Sequence, residues 1–207
     1  METVTWFLGV AGALTSGLAY TLYTIETGLG RSKPNAASWS VWAFLATLNA
    51  LTYHEMSHNL VASLQYYIGA VGCGLVFFYA LLFGKFSRLH TREWVILILG
   101  ICSALVWYAF HSAAWASLIV IVTFAISIEP TVRSAFQDPH REPARPWKLW
   151  TLALTIGTAG AVLRGKGQLT VVTPFALALL HGSVAVLTRQ TRRLRFLADH
   201  PNLAPPP

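Results

Sequence analysis

The sequence predicts an all-α integral membrane protein: seven transmembrane helices forming two parallel three-helix bundles joined by a linker helix. Composition is the first observation behind this prediction, since 55% of the 207 residues are hydrophobic and only 11% are charged. Soluble domains carry roughly a quarter charged residues, so this chain has too few for a surface that faces water. The other two observations are the one-sided distribution of its cations and an internal repeat.

Seven apolar runs are long enough to be considered as membrane spans. A span needs about 20 mostly apolar residues, because every backbone polar group must be satisfied without water. The predicted spans are 4–24, 38–53, 60–83, 94–110, 113–128, 147–163 and 169–187. The first run has no basic segment before it and is predicted to be a helix rather than a signal peptide. The segment 189–207 is basic and then proline-rich, which predicts a disordered cytoplasmic tail.

The cations assign an orientation to these spans. Thirteen of the fifteen Lys and Arg residues fall on one side of the predicted topology, and only Arg164 and Lys166 fall on the other. The positive-inside rule then places the N-terminus outside and the C-terminus in the cytoplasm of a plasma or inner membrane. The net charge of +7 is interpreted as charge at the membrane face, and no nucleic-acid partner is expected.

Two corner segments reveal the repeat. RSKPNAASWSVW at 31–42 and REPARPWKLW at 141–150 each place a basic, proline-containing turn before two Trp residues spaced three apart. A shift of 108 residues superposes these Trp pairs, and it also superposes predicted helices 1, 2 and 3 on helices 5, 6 and 7. An odd linker helix between two such units makes them parallel. The predicted units are therefore 1–83, the linker 84–112, the second repeat 113–188 and the tail 189–207.

The corner motifs resemble those of a known family. They are KPNAASW at 33–39 in the first copy, and Glu129-Pro130-Thr131, Asp138-Pro139, Glu142 and Pro146-Trp147 in the second. This pattern resembles small bacterial members of the PQ-loop family, which includes the SWEET and SemiSWEET sugar transporters and the KDEL-receptor-like proteins. The Pro-Gln dipeptide itself is absent, and helix 1 lacks the hinge proline of the family's transporters. The resemblance implies transport of a small polar solute, a sugar being one candidate, by alternating access between the two bundles.

The prolines and tryptophans of the corners have two interpretations. Pro34 and Pro146 stand where a helix begins, a position that tolerates a missing N–H, and Trp39 and Trp147 suit interfacial anchors. Alternatively, these four residues together with Pro130 form a cytoplasmic gate that bends as the bundles rock.

Polar residues inside the apolar runs are the candidate binding site, because burial in a membrane is costly for them and they usually face a cavity or a partner. Asn49 lies near the middle of helix 2, and Cys73 and His181 are equivalent under the shift of 108. In SWEET-like proteins the substrate lies between the bundles at this depth. The residues predicted to line a pocket are Asn49, Cys73, His181, Gln65, Thr155 and Thr158.

One further motif, HEMSH at 54–58, matches H-E-x-x-H, in which two His bind zinc and the Glu activates water. The motif is predicted to lie in a loop after helix 2. A catalytic zinc also needs a third protein ligand; His111 is a candidate, but nothing in the sequence places it near the motif. A metallopeptidase with His54 and His58 as ligands is therefore a minor alternative, and no cofactor is expected.

A non-transporting subunit of a larger membrane complex is the main alternative function. Such a scaffold would contribute helices, tryptophans and a basic cytoplasmic face to its partner subunits. The expected partners are thus a small solute or other membrane subunits, together with the lipid bilayer, and a homo-oligomer is a further option.

Overall fold

The computed structural model describes residues 1–32, 34, 36–83, 91–129, 131–132, 136 and 143–199, with the backbone alone for 92, 93 and 190–199. This part of the chain is all-helical, as predicted, and contains seven helices. They are α1 (Glu2–Gly28), α2 (Ala36–Ser57), α3 (Leu60–Phe83), α4 (Thr91–Phe110), α5 (Ala113–Ser127), α6 (Ala144–Arg164) and α7 (Gln168–Asp199).

Most helices are longer than the apolar runs that predict them, because capping decides where a helix ends. Helix α1 continues to Gly28, and Gly30 then adopts a left-handed φ of +72°. The amides of Gly30 and Arg31 donate to the carbonyls of Thr27 and Glu26, each at 2.9 Å. This is the Schellman arrangement, in which a glycine without a Cβ satisfies carbonyls left over at a helix end.

The last helix departs most from prediction. Helix α7 runs to Asp199, so the segment 189–199 is helical and the prediction of a disordered tail was wrong there; residues 200–207 lie outside the described residues. The sequence from 188 to 199, TRQTRRLRFLAD, contains neither Gly nor Pro and is rich in strong helix formers.

The helices pack in a pattern that repeats. In the first unit α3 contacts both α1 and α2. Within the residues that the structure describes, α1 and α2 do not contact each other. In the second unit α7 likewise contacts α5 and α6. Between the units α1 packs on α6, α2 on α5, α2 on α7 and α3 on α6. If α1, α2 and α3 are exchanged with α5, α6 and α7, each of these contacting pairs becomes another contacting pair. The packing therefore has an approximate two-fold symmetry. Helix α4 is not part of this symmetry and packs against α2 and α5.

Much of the molecular surface is apolar. Among the described helices, three are long and apolar enough to cross a membrane: Glu2–Gly28, Leu60–Phe83 and Gln168–Arg189. Large apolar side chains are exposed on these helices, including Phe7, Leu14, Leu75, Phe78 and Leu179. Helix α2 is long enough but less apolar, and it buries more of its residues than α1 or α3 does. A helix that is covered by other helices does not need an apolar exterior of its own.

Candidate functional site

A cavity of about 80 Å³ lies where the two three-helix units meet. Twelve of its eighteen lining residues form six pairs related by the shift of 108 residues. These pairs are Tyr20 with Ile128, Trp39 with Trp147, Trp42 with Trp150, Ala46 with Leu154, Gly69 with Leu177, and Cys73 with His181. The remaining residues are Asn49, Gln65, Tyr66, Phe124, Ser127 and Leu180. The cavity therefore lies on the approximate two-fold axis of the fold.

Five aromatic rings form a closed circuit at one end of the cavity, which we call the aromatic belt: Tyr23, Trp39, Trp42, Trp147 and Trp150. Successive ring centroids lie 5.1 Å apart from Tyr23 to Trp39, 5.2 Å to Trp42, 6.2 Å to Trp147, 5.2 Å to Trp150 and 5.7 Å back to Tyr23. Tilted and edge-to-face pairs at these distances attract each other beyond the area they bury. Because the circuit crosses between the units twice, the belt joins them at this end.

His181 and Cys73 lie next to the belt, on α7 and α3. The His181 ring contacts the rings of Trp147 and Trp150, with centroids at 5.4 and 5.9 Å. Its Nδ1 lies 2.8 Å from the Leu177 carbonyl oxygen, and since a carbonyl only accepts, Nδ1 is the protonated nitrogen. In a neutral ring Nε2 is then an acceptor. Cys73 Sγ lies 3.2 Å from the Tyr20 hydroxyl.

The Tyr20 ring packs directly on the backbone of Gly72. A Cβ at Gly72 would overlap the Tyr20 ring, so only a residue without a side chain lets α3 approach α1 this closely. The Tyr20 ring in turn packs edge-to-face on Trp150, with centroids 4.9 Å apart. The absence of a side chain at position 72 thereby determines one wall of the cavity.

Asn49 lies between the belt and the opposite end of the cavity, and it is only 4% exposed. Its Oδ1 has no hydrogen-bond partner among the described residues, and the same holds for Nε1 of Trp150, which is 5% exposed. Such atoms are uncommon in folded proteins, because an unpaired buried polar group costs about 1–3 kcal/mol. Both residues line the cavity, but each of these two atoms has less than 1 Å² of accessible surface, so the atoms themselves are covered by neighbouring side chains.

Gln65 reaches across the interface between the units from α3. Its amide lies against Gly12 on α1 and Gly157 on α6, where an added Cβ would overlap the amide group. Gln65 Nε2 and the Tyr66 hydroxyl are neighbours, but the described residues provide neither with a hydrogen bond of ordinary geometry. The polar part of the lining therefore continues from Asn49 toward Tyr66.

Two neighbouring rings, Tyr53 and Tyr66, lie at the end of the cavity opposite the belt, tilted by 36° with centroids 4.1 Å apart. The Tyr53 hydroxyl donates to the Thr170 carbonyl oxygen at 3.1 Å, which joins α2 to α7. Pro174 lies inside α7 and has no N–H, so it cannot donate to the carbonyl four residues earlier, that of Thr170. Tyr53 therefore supplies the hydrogen bond that the proline removes.

We expect Tyr53→Phe to destabilise the protein by about 1–3 kcal/mol, because the buried Thr170 carbonyl loses its donor. In a Pro174→Ala background an amide is available to that carbonyl, and the same substitution should cost at least about 1 kcal/mol less. The measurement is a double-mutant cycle on thermal unfolding in detergent. Equal losses in the two backgrounds would show that the tyrosine and the proline are not linked.

The predicted binding residues separate into two groups. Asn49, Gln65, Cys73 and His181 all line the cavity, whereas Thr155 and Thr158 do not. These two threonines line a different groove between α6 and α7, and their hydroxyls donate to Thr151 and Leu154 carbonyls of their own helix. The reason is helical phase: Trp147, Trp150 and Leu154 occupy the cavity face of α6 at spacings of three and four, and residues 155 and 158 fall on another face.

The predicted gate residues are also divided. Trp39 and Trp147 belong to the aromatic belt, so they are buried in the protein, with 5% and 1% of their surfaces exposed. Their interpretation as anchors at a lipid interface was therefore wrong. Pro146 is buried in the first turn of α6, and Pro34 precedes α2. Pro130 lies outside the described residues.

The HEMSH segment belongs mostly to helix α2, which continues through Ser57, so the predicted loop at 54–57 was wrong. His58 follows the helix with a positive φ of 46°, which takes it off the helical register it would need to share a metal with His54. The Glu55 carboxylate accepts a hydrogen bond from Trp107 Nε1 on α4. The described residues bring together no group of three His, Cys, Asp or Glu side chains placed to hold a metal ion.

Sequence reasoning missed Tyr53, Tyr66, Trp42 and Trp150 as parts of this site. The Trp residues carried a signal, since both belong to the repeated corner motif. Pro174 carried another, because a proline inside an apolar helix frees a carbonyl at a known position. Comparison of the chain with protein-family models, curated proteins and solved structures finds no match.

Proposed function

We propose that this chain is an integral membrane protein of seven spans that carries a small polar solute through the cavity between its two three-helix units. The observation that carries the proposal is the position of the cavity: it lies on the approximate two-fold axis relating the units, and polar side chains of both units line it, among them Asn49, Gln65 and His181. A cavity that served only packing would be expected to have an apolar lining.

The membrane setting is supported by the exposed apolar side chains, which are too numerous for a surface in water. Of the described cations, Arg31, Arg145, Lys148 and Arg189 are at the belt end, whereas Arg164 and Lys166 are at the tyrosine end. With all fifteen Lys and Arg counted in the sequence, the positive-inside rule favours a cytoplasmic belt and an external N-terminus.

The two ends of the cavity suggest how access would alternate. The aromatic belt and the Tyr53–Thr170 hydrogen bond each join the two units, one at each end. Opening one of them while the other stays closed would expose the cavity to one side at a time, as in transporters built from parallel repeats. The resemblance of the corner motifs to the PQ-loop family agrees with this proposal.

The test is solute flux into proteoliposomes, with a pair of variants on one helix. Gly69 lines the cavity, and Gly69→Leu should fill it and lower uptake at least ~10-fold, since the space holds only about three waters at ~30 Å³ each. Gly74 is the matched control, because a Cβ there meets no atom of the described residues within 4 Å, and Gly74→Leu should leave uptake unchanged. Equal effects of the two variants, or no flux above protein-free liposomes for urea, glycerol, glycine and glucose, would refute transport.

A structural subunit is the second candidate, and the groove between α6 and α7 favours it. This groove is lined mainly by apolar residues, several of them exposed, with small residues among them that include Ala159, Ala178 and Gly182. Small residues allow close helix packing in membranes. If the protein is an accessory subunit, it should purify with a stoichiometric partner in mild detergent, and Gly182→Leu should release that partner without affecting Gly69-sensitive flux.

A further inference from the structure

Arg164 is a cation whose side chain turns into the protein. It is the last residue of α6, and Gly165 ends the helix with a left-handed φ of +61°. A Cβ built on Gly160, one turn earlier, would lie 3.4 Å from Arg164 Nη1 and 3.5 Å from Leu8 Cβ of α1. The guanidinium therefore lies over the α6 backbone beside α1, about 6 Å deeper than the end of its own helix.

The Arg164 guanidinium reaches the tyrosine end of the cavity. It interacts electrostatically with the hydroxyls of Tyr53 and Tyr66, and Tyr66 lines the cavity. Gly157, seven residues before Arg164 and therefore on the same face of α6, packs against the amide of Gln65, another lining residue. Because Arg164 itself remains partly exposed, it stands at the entrance to the cavity from the tyrosine end.

No acidic side chain balances the charge of Arg164. The described residues include the N-terminus and all three connections at the tyrosine end, where the acids are Glu2 and Glu55, and neither lies within 4 Å of Arg164. Glu55 instead accepts a hydrogen bond from Trp107. The tyrosine hydroxyls and the C-terminal end of α6 supply only partial negative charge. A guanidinium held between helices without a full counter-charge favours an anionic ligand.

The shape of the cation and the size of the cavity define the ligand further. A planar guanidinium matches a planar carboxylate, to which it can donate two parallel hydrogen bonds. The cavity beyond it has a volume of about 80 Å³, and a cavity of about 150 Å³ holds the six non-hydrogen atoms of benzene. In proportion, about three or four non-hydrogen atoms fill this space, so the ligand is small.

We propose that the solute is a small molecule that bears a carboxylate group, as acetate and glycine do, and that Arg164 receives this group at the entrance to the cavity. The carboxylate pairs with the guanidinium at the tyrosine end, and the rest of the molecule enters the cavity. No bond is made or broken. This inference rests on the proposed transport function and specifies its solute.

The first experiment compares three molecules of the same shape and different charge: acetate, acetamide and acetamidinium. Each is added to the purified full chain in detergent near pH 7, where acetate is ionised, at constant ionic strength. Binding is measured as the rise of the unfolding midpoint with ligand concentration. Acetamide and acetamidinium should need at least ~10-fold higher concentrations than acetate for the same rise. This comparison requires no variant.

The second experiment uses variants at the entrance. Arg164→Gln removes the charge and the two-pronged donor, and it should weaken acetate binding at least ~10-fold. Arg164→Lys keeps the charge alone and should weaken binding less. Lys166→Gln is the matched control, because it removes an exposed cation two residues away, and it should change binding less than ~2-fold. In proteoliposomes Arg164→Gln should lower glycine uptake ~10-fold.

The alternatives give different results. If acetamide or acetamidinium binds as well as acetate, the carboxylate assignment is wrong. Equal losses in Arg164→Gln and Lys166→Gln would mean that acetate is attracted by charge in general, and would overturn the site at Arg164. Flux of urea or glycerol without any binding of acetate would overturn this inference and leave transport standing. Acetate binding that depends on Arg164, with no flux of any solute, would support the carboxylate site and overturn the transport proposal.

Discussion

Trp150→Ala is expected to lower the free energy of unfolding by about 3–5 kcal/mol, the range for removing a buried Trp or Phe side chain. For a chain of this length that corresponds to a fall of roughly 10 °C in the unfolding midpoint. Trp150 is 5% exposed and its ring contacts those of Tyr20, Tyr23, Trp147 and His181. Two of these residues belong to the first unit and two to the second, so the substitution breaks the belt at a junction between units.

The matched control for this substitution is Trp115→Ala. Trp115 begins α5 and is 65% exposed, so its truncation should cost less than about 1 kcal/mol. Thermal unfolding of the two variants in the same detergent measures the difference. Similar midpoints for the two variants would mean that the aromatic belt does not hold the units together.

Asn49→Leu should have the opposite effect on stability and a large effect on function. The substitution replaces an amide whose buried Oδ1 has no partner by an apolar side chain of similar size, which removes a cost of about 1–3 kcal/mol. The midpoint should therefore rise by several degrees. Solute uptake should fall at least ~10-fold, because the cavity lining loses one of its polar side chains. A gain in stability with a loss of activity is the pattern expected of a functional residue that the fold does not need.

Thr52→Val is the control for this prediction, one turn further along the same helix. Thr52 is fully buried, but its hydroxyl donates to the Leu48 carbonyl at 2.9 Å. Its replacement removes a hydrogen bond that is satisfied, so it should not stabilise the protein and should leave uptake intact. If Asn49→Leu destabilises the protein as a core polar deletion would, or leaves uptake unchanged, Asn49 is not part of a binding site.

The amount that could be predicted differs between residues for identifiable reasons. Helix α3 begins at residue 60, as its apolar run does, because polar Asn59 precedes the run and its Oδ1 accepts from the Ala62 amide at 2.9 Å. Helix α7 continues past its apolar run as far as Asp199, because strong helix formers extend it without further apolar stretches. Cys73 and His181 could be paired from the repeat alone, since the fold applies the same shift to the whole unit. Thr155 could not be excluded, because both faces of α6 carry apolar and hydroxyl side chains and neither face is marked in the sequence.

The sequence by itself determined the all-helical class, the spacing of 108 residues between the two corner motifs and the grouping of the cations in a few short segments. These properties are local or periodic: they depend on apolar runs, on spacing and on charge counts. The tertiary structure alone decided which faces of the helices meet. Tyr53 finds the carbonyl that Pro174 leaves free from 117 positions away in the sequence, and the belt closes only when rings from α1, α2 and α6 come together. Contacts of that kind depend on the approach of helices distant in sequence, which no single stretch of the chain records.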